Sequence, residues 1–80
     1  MTNAGIHNDD LLIVDKAESA TSGKIVIAVI NGEMTVKRLM KQDQRVYLQP
    51  ENPAYEPIEI TAEQDFAIWG VVTTVIHKVL

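Results

Sequence analysis

The sequence predicts an all-β domain, a small and highly twisted sheet or partly closed barrel of six or seven short strands. Three observations carry that reading. Asn31-Gly32 stands between two apolar runs, the strongest short-range hairpin signal a sequence offers. The closing segment is crowded with β-branched side chains at Ile68, Val71, Val72, Thr73, Thr74, Val75, Ile76 and Val79, which favour a strand over a helix. Between these two regions, Arg45-Val46-Tyr47-Leu48-Gln49 alternates polar and apolar residues and is bounded by turn formers and prolines.

Taken in order, Met1 to Asp10 is polar and turn-rich, with Asn3, Gly5, Asn8, Asp9 and Asp10 suited to a loop. Leu11-Leu12-Ile13-Val14 is a short apolar strand. Asp15 to Gly23 is a connection with room for one helical turn at Lys16–Ser19. Lys24 to Ile30 and Glu33 to Met40 form the two arms of the hairpin. Gln42-Asp43-Gln44 makes a second turn, and Arg45 to Gln49 the next strand, with Val46 and Leu48 on one face. Pro50, Pro53 and Pro57 make Gln49 to Pro57 irregular, because proline cannot join a central ladder. Ile58-Glu59-Ile60 is a short strand, and Thr61 to Asp65 a polar turn. Phe66 to Leu80 is a long strand, bent or bulged at Gly70. Its apolar residues on both faces after Gly70 make it a candidate for pairing with a second subunit.

Eighty residues make a single domain, 1–80, with a limited core. A domain this small often relies on a disulfide, a metal or an oligomer. There is no cysteine, and His7 and His77 stand at opposite ends without metal-ligand spacing, so no metal or other cofactor is expected and a homo-oligomer is. A net charge of −4 speaks against direct nucleic-acid binding. The first ten residues are too polar for a signal peptide, and the apolar stretch Phe66–Leu80 is too short for a membrane span. A cytoplasmic protein away from the membrane is the expectation.

A two-residue type I′ turn at Asn31-Gly32 sets the hairpin register. Ile30 faces Glu33, Val29 faces Met34, Ala28 faces Thr35, Ile27 faces Val36 and Val26 faces Lys37. Alternation then collects Val26, Ala28, Ile30, Thr35, Lys37 and Leu39 on one face. An amine at Lys37 is out of place among those aliphatic neighbours. It could lay its methylene stem on the sheet and keep the ammonium in water. It could instead be desolvated, and desolvation disfavours the charged form of an amine. A neutral lysine is a competent general base for a serine hydroxyl.

Other residues read more simply. Thr35 shares the Lys37 face and could orient the amine, but both Thr35 and Glu33 also suit a strand for ordinary reasons. Trp69 could anchor a partner, although core packing accounts for it as well. Asp9-Asp10 fits a solvated turn better than an acid pair. Lys37, Arg38 and Lys41 alternate in direction and make no single basic patch.

Four pieces carry a likeness. Asp10-Leu11-Leu12-Ile13-Val14-Asp15, Gly32-Glu33-Met34-Thr35-Val36-Lys37-Arg38-Leu39, Pro50-Glu51-Asn52-Pro53-Ala54-Tyr55-Glu56-Pro57-Ile58 and Trp69-Gly70-Val71-Val72 occur in that order. The ordered set, with its gaps, resembles the C-terminal domain of the LexA/UmuD family of self-cleaving serine peptidases, from about Ala4 to Val79. The short chain and the Ile13-Val14-Asp15 wording look more like the UmuD branch, the SOS mutagenesis proteins, than the repressor branch.

The resemblance implies a fold like that of LexA and the signal peptidases, and a serine–lysine dyad. The family's lysine falls on Lys37. Its serine would stand immediately before Met1, because Met1-Thr2-Asn3-Ala4-Gly5-Ile6 matches the residues on the C-terminal side of that serine. Ser19, Ser22 and the threonines do not match it. Ala4-Gly5 matches the turn after the serine and not the cleaved bond. On this reading the 80 residues are N-terminally truncated, carry the base without its nucleophile, and should cleave nothing alone. The likeness further implies self-cleavage promoted by a RecA-type filament after DNA damage. The processed product would be a homodimer, formed partly through Phe66–Leu80, that assists a translesion DNA polymerase. A LexA-like transcriptional repressor domain, or a non-catalytic dimerisation and interaction module, remains the alternative.

Overall fold

The alternating runs become six antiparallel strands of one sheet in a computed structural model, which describes residues 6, 9–50, 54–61 and 63–77. The strands are β1 (Leu11–Asp15), β2 (Ile25–Ile30), β3 (Glu33–Gln42), β4 (Arg45–Gln49), β5 (Ile58–Ile60) and β6 (Phe66–Ile76). They lie in the order β1-β6-β2-β3-β4-β5. The sheet is open, with β1 and β5 at its edges, so it is a twisted sheet and not the partly closed barrel.

The β2–β3 hairpin has the predicted register, from Ile30 opposite Glu33 to Val26 opposite Lys37. Asn31 and Gly32 have φ of 50° and 83°, the left-handed pair that a type I′ turn requires. Asn31 also ties the hairpin tip to the start of β6. Its amide donates to the Asp65 carbonyl at 2.7 Å, and its side-chain oxygen accepts the Asp65 amide at 3.1 Å. The β3–β4 turn at Asp43-Gln44 is also left-handed at both residues, with φ of 51° and 67°.

β6 is bent at two bulges. Ile27 pairs with Gly70 and Ala28 with Ile68, so Trp69 is the extra residue. Ile13 pairs with Thr74 and Val14 with Val72, so Thr73 is extra, and its hydroxyl donates to the Ile13 carbonyl at 3.2 Å. These bulges let one strand serve two partners: Phe66–Val71 pairs with β2, and Val71–Ile76 with β1. Gly70 is needed at the crossing, because a Cβ there would overlap the Val14 side chain. β6 therefore lies between β1 and β2 in the sheet, each half with one of them as its neighbour.

The core lies on the face that carries Lys37. Val26, Ala28, Leu39, Leu48 and Val71 are buried, flanked by Ala20, Ile30, Val46, Ile60, Phe66 and Ile68. Ala20 comes from the connection between β1 and β2, which lies along β3. Gly23 donates to the Leu39 carbonyl at 2.7 Å, and Leu39 to that of Lys24 at 2.8 Å. The Lys41 amide donates to Ser22 Oγ at 3.0 Å, and Lys41 Nζ to the Ala20 carbonyl at 3.2 Å. The helical turn expected at Lys16–Ser19 is not formed. The Ala17 amide bonds the Asp15 carboxylate at 2.8 Å instead, and Lys24 Nζ reaches Glu18 at 2.8 Å and the Ser19 carbonyl at 3.2 Å.

Two side chains depart from expectation. Trp69 is not a core residue: its bulge leaves it 43% exposed, with Lys16 Nζ 4.9 Å from the ring centroid. The Asp10 side chain is only 5% exposed, because His77 Nδ1 meets it at 2.7 Å across the open end of the β1–β6 ladder. Among the described residues, no helix is long and apolar enough to cross a membrane.

Candidate active site around Lys37

Strand pairing fixes where Lys37 stands. Val26, directly opposite, is fully buried and offers no side-chain hydrogen bond. Leu39, two residues along the same face, is also fully buried. β4 pairs with β3 only from Arg38 onward, so Lys37 lies just beyond the end of that ladder. There Pro50 ends β4, and Tyr55, Glu56 and Ile58 lie with it beside Lys37. The result is a pocket of about 400 Å³ lined by Lys37, Pro50, Tyr55, Glu56 and Ile58.

Lys37 is half-buried, and among the described residues its amine meets no hydrogen-bond or ion-pair partner. The other described basic side chains are all engaged. Lys16 lies over Trp69, Lys24 pairs with Glu18, and Lys41 bonds the Ala20 carbonyl. Arg38 donates to the Gly23 carbonyl at 2.6 Å. Arg45 is held in its charged form by a hydrogen bond with Tyr47 and by the nearby Glu59. An amine at a pocket with no counter-ion among the described residues can exchange a proton with a bound group at little structural cost.

Thr35 makes no hydrogen bond to the amine among the described residues, in keeping with the ordinary strand reading of that position. Its hydroxyl is buried, opposite the fully buried Ala28, and has no hydrogen-bond partner. The first five residues and residues 51–53 lie outside the described residues, so the proposed junction before Met1, Ala4-Gly5 and Glu51-Asn52-Pro53 are not placed. Nor is His7. Ser19 and Ser22 lie in the β1–β2 connection and do not line the Lys37 pocket, in keeping with their lack of a motif match.

Sequence reasoning missed the other walls of the pocket. Tyr55 and Glu56 were legible as part of a proline-rich connection and Ile58 as the start of a short strand, but nothing in their pattern said that they return to Lys37. A larger recess of about 540 Å³ is lined by Met40, Gln42, Tyr47, Gln49, Glu56 and Pro57. It contains no lysine, histidine, serine or cysteine and is a poorer candidate for proton-transfer chemistry. Among the described residues, no group of His, Cys, Asp and Glu is placed to hold a metal ion.

Comparison with known proteins agrees with the likeness in the motifs. The family model described as Peptidase S24-like matches residues 1–73. LexA repressor 2 of Pseudomonas syringae is 42% identical over 78 residues, which are 98% of this chain and 39% of that protein. The LexA repressor of Bordetella parapertussis is 45% identical over 77 residues, covering 96% of this chain and 36% of that protein. Protein SamA of Salmonella typhimurium is 47% identical over 78 residues, covering 98% of this chain and 53% of that protein. The chain thus spans between about a third and a half of the length of these relatives. The family match over residues 1–73, on an all-β chain of six antiparallel strands, places this chain in the Peptidase S24-like family.

Proposed function

We propose that this chain is the base-bearing part of a LexA-type self-cleaving serine peptidase, with Lys37 as general base. The observation that carries this reading is Lys37 itself, a half-buried residue on the face of fully buried Val26 and Leu39, whose amine has no bonding partner among the described residues. In its neutral form Lys37 takes the proton of a serine hydroxyl as the oxygen attacks the scissile carbonyl. The lysine ammonium then returns that proton to the leaving amine, and water hydrolyses the resulting ester. By the family resemblance, the serine of this reading would stand immediately before Met1.

The test is to extend the chain with that serine and an upstream cleavage segment. Self-cleavage should appear, rise with pH as the lysine gives up its proton, and vanish in Lys37→Ala and in the serine-to-alanine control. Cleavage that survives Lys37→Ala would reject the assignment.

Two of the relatives bear the name LexA repressor, which supports a repressor whose self-cleavage, promoted by a RecA-type filament, would end repression. A second reading rests on the match to SamA, of which the chain covers a larger share. In it, the processed product is a homodimer that assists a translesion DNA polymerase. The region preceding Met1 separates the two: a helix-turn-helix domain means repressor, a short arm means mutagenesis protein. A non-catalytic interaction module would leave the serine-bearing chain uncleaved with or without the filament.

A further inference from the structure

Asn31-Gly32 sets the β2–β3 register, and the same dipeptide carries a chemistry of its own. The main-chain nitrogen after an asparagine can attack the side-chain carboxamide and close a succinimide ring. A side chain on that next residue hinders the attack, and glycine has none. Of the four asparagines, Asn3, Asn8, Asn31 and Asn52, only Asn31 precedes a glycine. Both turn residues are exposed, and a Cβ at Gly32 would meet no atom within 4 Å beyond its chain neighbours. Among the described residues the Gly32 amide has no hydrogen-bond partner, so the nucleophile is open to reaction. The carboxamide, by contrast, is tied down. Its oxygen accepts the Asp65 amide at 3.1 Å, and the Asn31 amide donates to the Asp65 carbonyl at 2.7 Å. Asp65 is itself set by a turn in which the Thr61 amide donates to Gln64 Oε1 at 2.9 Å and the Gln64 amide to the Thr61 carbonyl at 3.1 Å.

We propose that Asn31 is a site of self-modification, deamidated by the Gly32 nitrogen whenever its contact with Asp65 opens. Ring closure needs the Asn31 carboxamide carbon to swing onto that nitrogen, and the bond to the Asp65 amide holds it toward β6 instead. Once the contact opens, the bond from Gly32 N to Asn31 Cγ forms and the Cγ–Nδ2 bond breaks. Ammonia leaves, carrying the proton of the Gly32 amide. Water then opens the succinimide at either carbonyl, giving aspartate or isoaspartate. Isoaspartate runs the main chain through the former side chain and lengthens it by one methylene. A two-residue turn has no room for that addition, so the contact with Asp65 is not remade. The hairpin tip is thereby released from the start of β6 for good. This reaction is independent of the role of Lys37.

The experiment ages the 80-residue chain at mildly alkaline pH, folded and in concentrated guanidinium chloride. Site-resolved mass spectrometry follows amide-to-acid conversion, and isoaspartyl methyltransferase labels the isoaspartate. In the unfolded chain Asn31 should convert fastest of the four asparagines. In the folded chain its rate should fall about tenfold or more, since two hydrogen bonds must open first. Asp65→Pro removes the N–H that reaches the carboxamide and keeps the carbonyl that takes the Asn31 amide. It should raise the folded-state rate about three- to tenfold and leave the unfolded rate unchanged. If circular dichroism shows that Asp65→Pro does not fold, wild type in sub-denaturing guanidinium chloride replaces it. There the Asn31 rate should rise in step with hydrogen exchange of the Asp65 amide. In the isoaspartate product that amide should lose its protection. Asn31→Asp, which keeps the main-chain length and an oxygen acceptor, should retain it. Equal folded and unfolded rates, a folded Asp65→Pro chain that converts like wild type, or conversion that ignores exchange at Asp65 would overturn the proposal. So would an isoaspartate product that still protects the Asp65 amide.

Discussion

Thr35 Oγ1 is buried and has no hydrogen-bond partner, a rare condition for a polar atom. The buried hydroxyl costs about 1–3 kcal/mol when nothing replaces its lost water. Thr35→Val keeps the shape and removes that cost, so it should raise stability by about 1 kcal/mol in chemical denaturation. A fall instead would show that the hydroxyl is bonded in solution, and Lys37, on the same face, is the group that could reach it. Lys37 poses the matching question. The residue is half-buried and its amine meets no partner among the described residues, so Lys37→Met should stabilise the chain by about 0.5–1 kcal/mol. The same substitution should abolish cleavage in the serine-bearing form. Stability gained as activity is lost marks a residue kept for its chemistry. A Lys37→Met chain less stable than wild type would mean that the methylene stem and ammonium are well accommodated, as in the plain structural reading.

At the scale of elements, β6 shows how one glycine sets a topology. It pairs with β2 through its first half and β1 through its second, and Gly70 lies where the three strands meet. A Cβ at Gly70 would overlap a methyl of Val14, which is stiff at χ1 and half-buried. Gly70→Ala should therefore cost about 1–3 kcal/mol. Val14→Ala in the same chain should recover part of that loss, a non-additivity that a double-mutant cycle measures. Strictly additive effects would place the strain elsewhere. Most of this level was legible in the sequence. Asn31-Gly32 set the β2–β3 register residue by residue, because a two-residue turn leaves no freedom once its type is known. The β-branched run marked β6 as a strand, and Gly70 marked its bend. The strand order, the Asp10–His77 contact and the return of Tyr55 and Glu56 to Lys37 were not legible. Each joins segments far apart in the chain, and local pattern carries no term for such pairings. Trp69 went astray because a bulge shifts the alternation on which the core reading relied.

At the scale of the whole molecule, a domain of 8.9 kDa without cysteine often draws added stability from an oligomer. Large apolar side chains stand at the surface at the β1–β6 end. Leu11 faces Ile76 across the ladder, Ile13 follows on the same face, and all three are more than two-fifths exposed. Each half of β6 already has one neighbour, first β2 and then β1, and the exposed apolar face at this end of the sheet is the surface a second copy would meet. A homodimer through the β1–β6 face is therefore expected, and Ile13→Glu should break it, since a charge there must be desolvated on association. Sedimentation over a wide range of concentration would show the wild type moving from monomer to dimer and the variant remaining monomeric. Ile13→Glu should leave the fold intact, because the side chain is about half exposed in the monomer. A wild type that stays monomeric at the highest concentration, or an Ile13→Glu chain that still dimerises, would move the interface away from this end of the sheet.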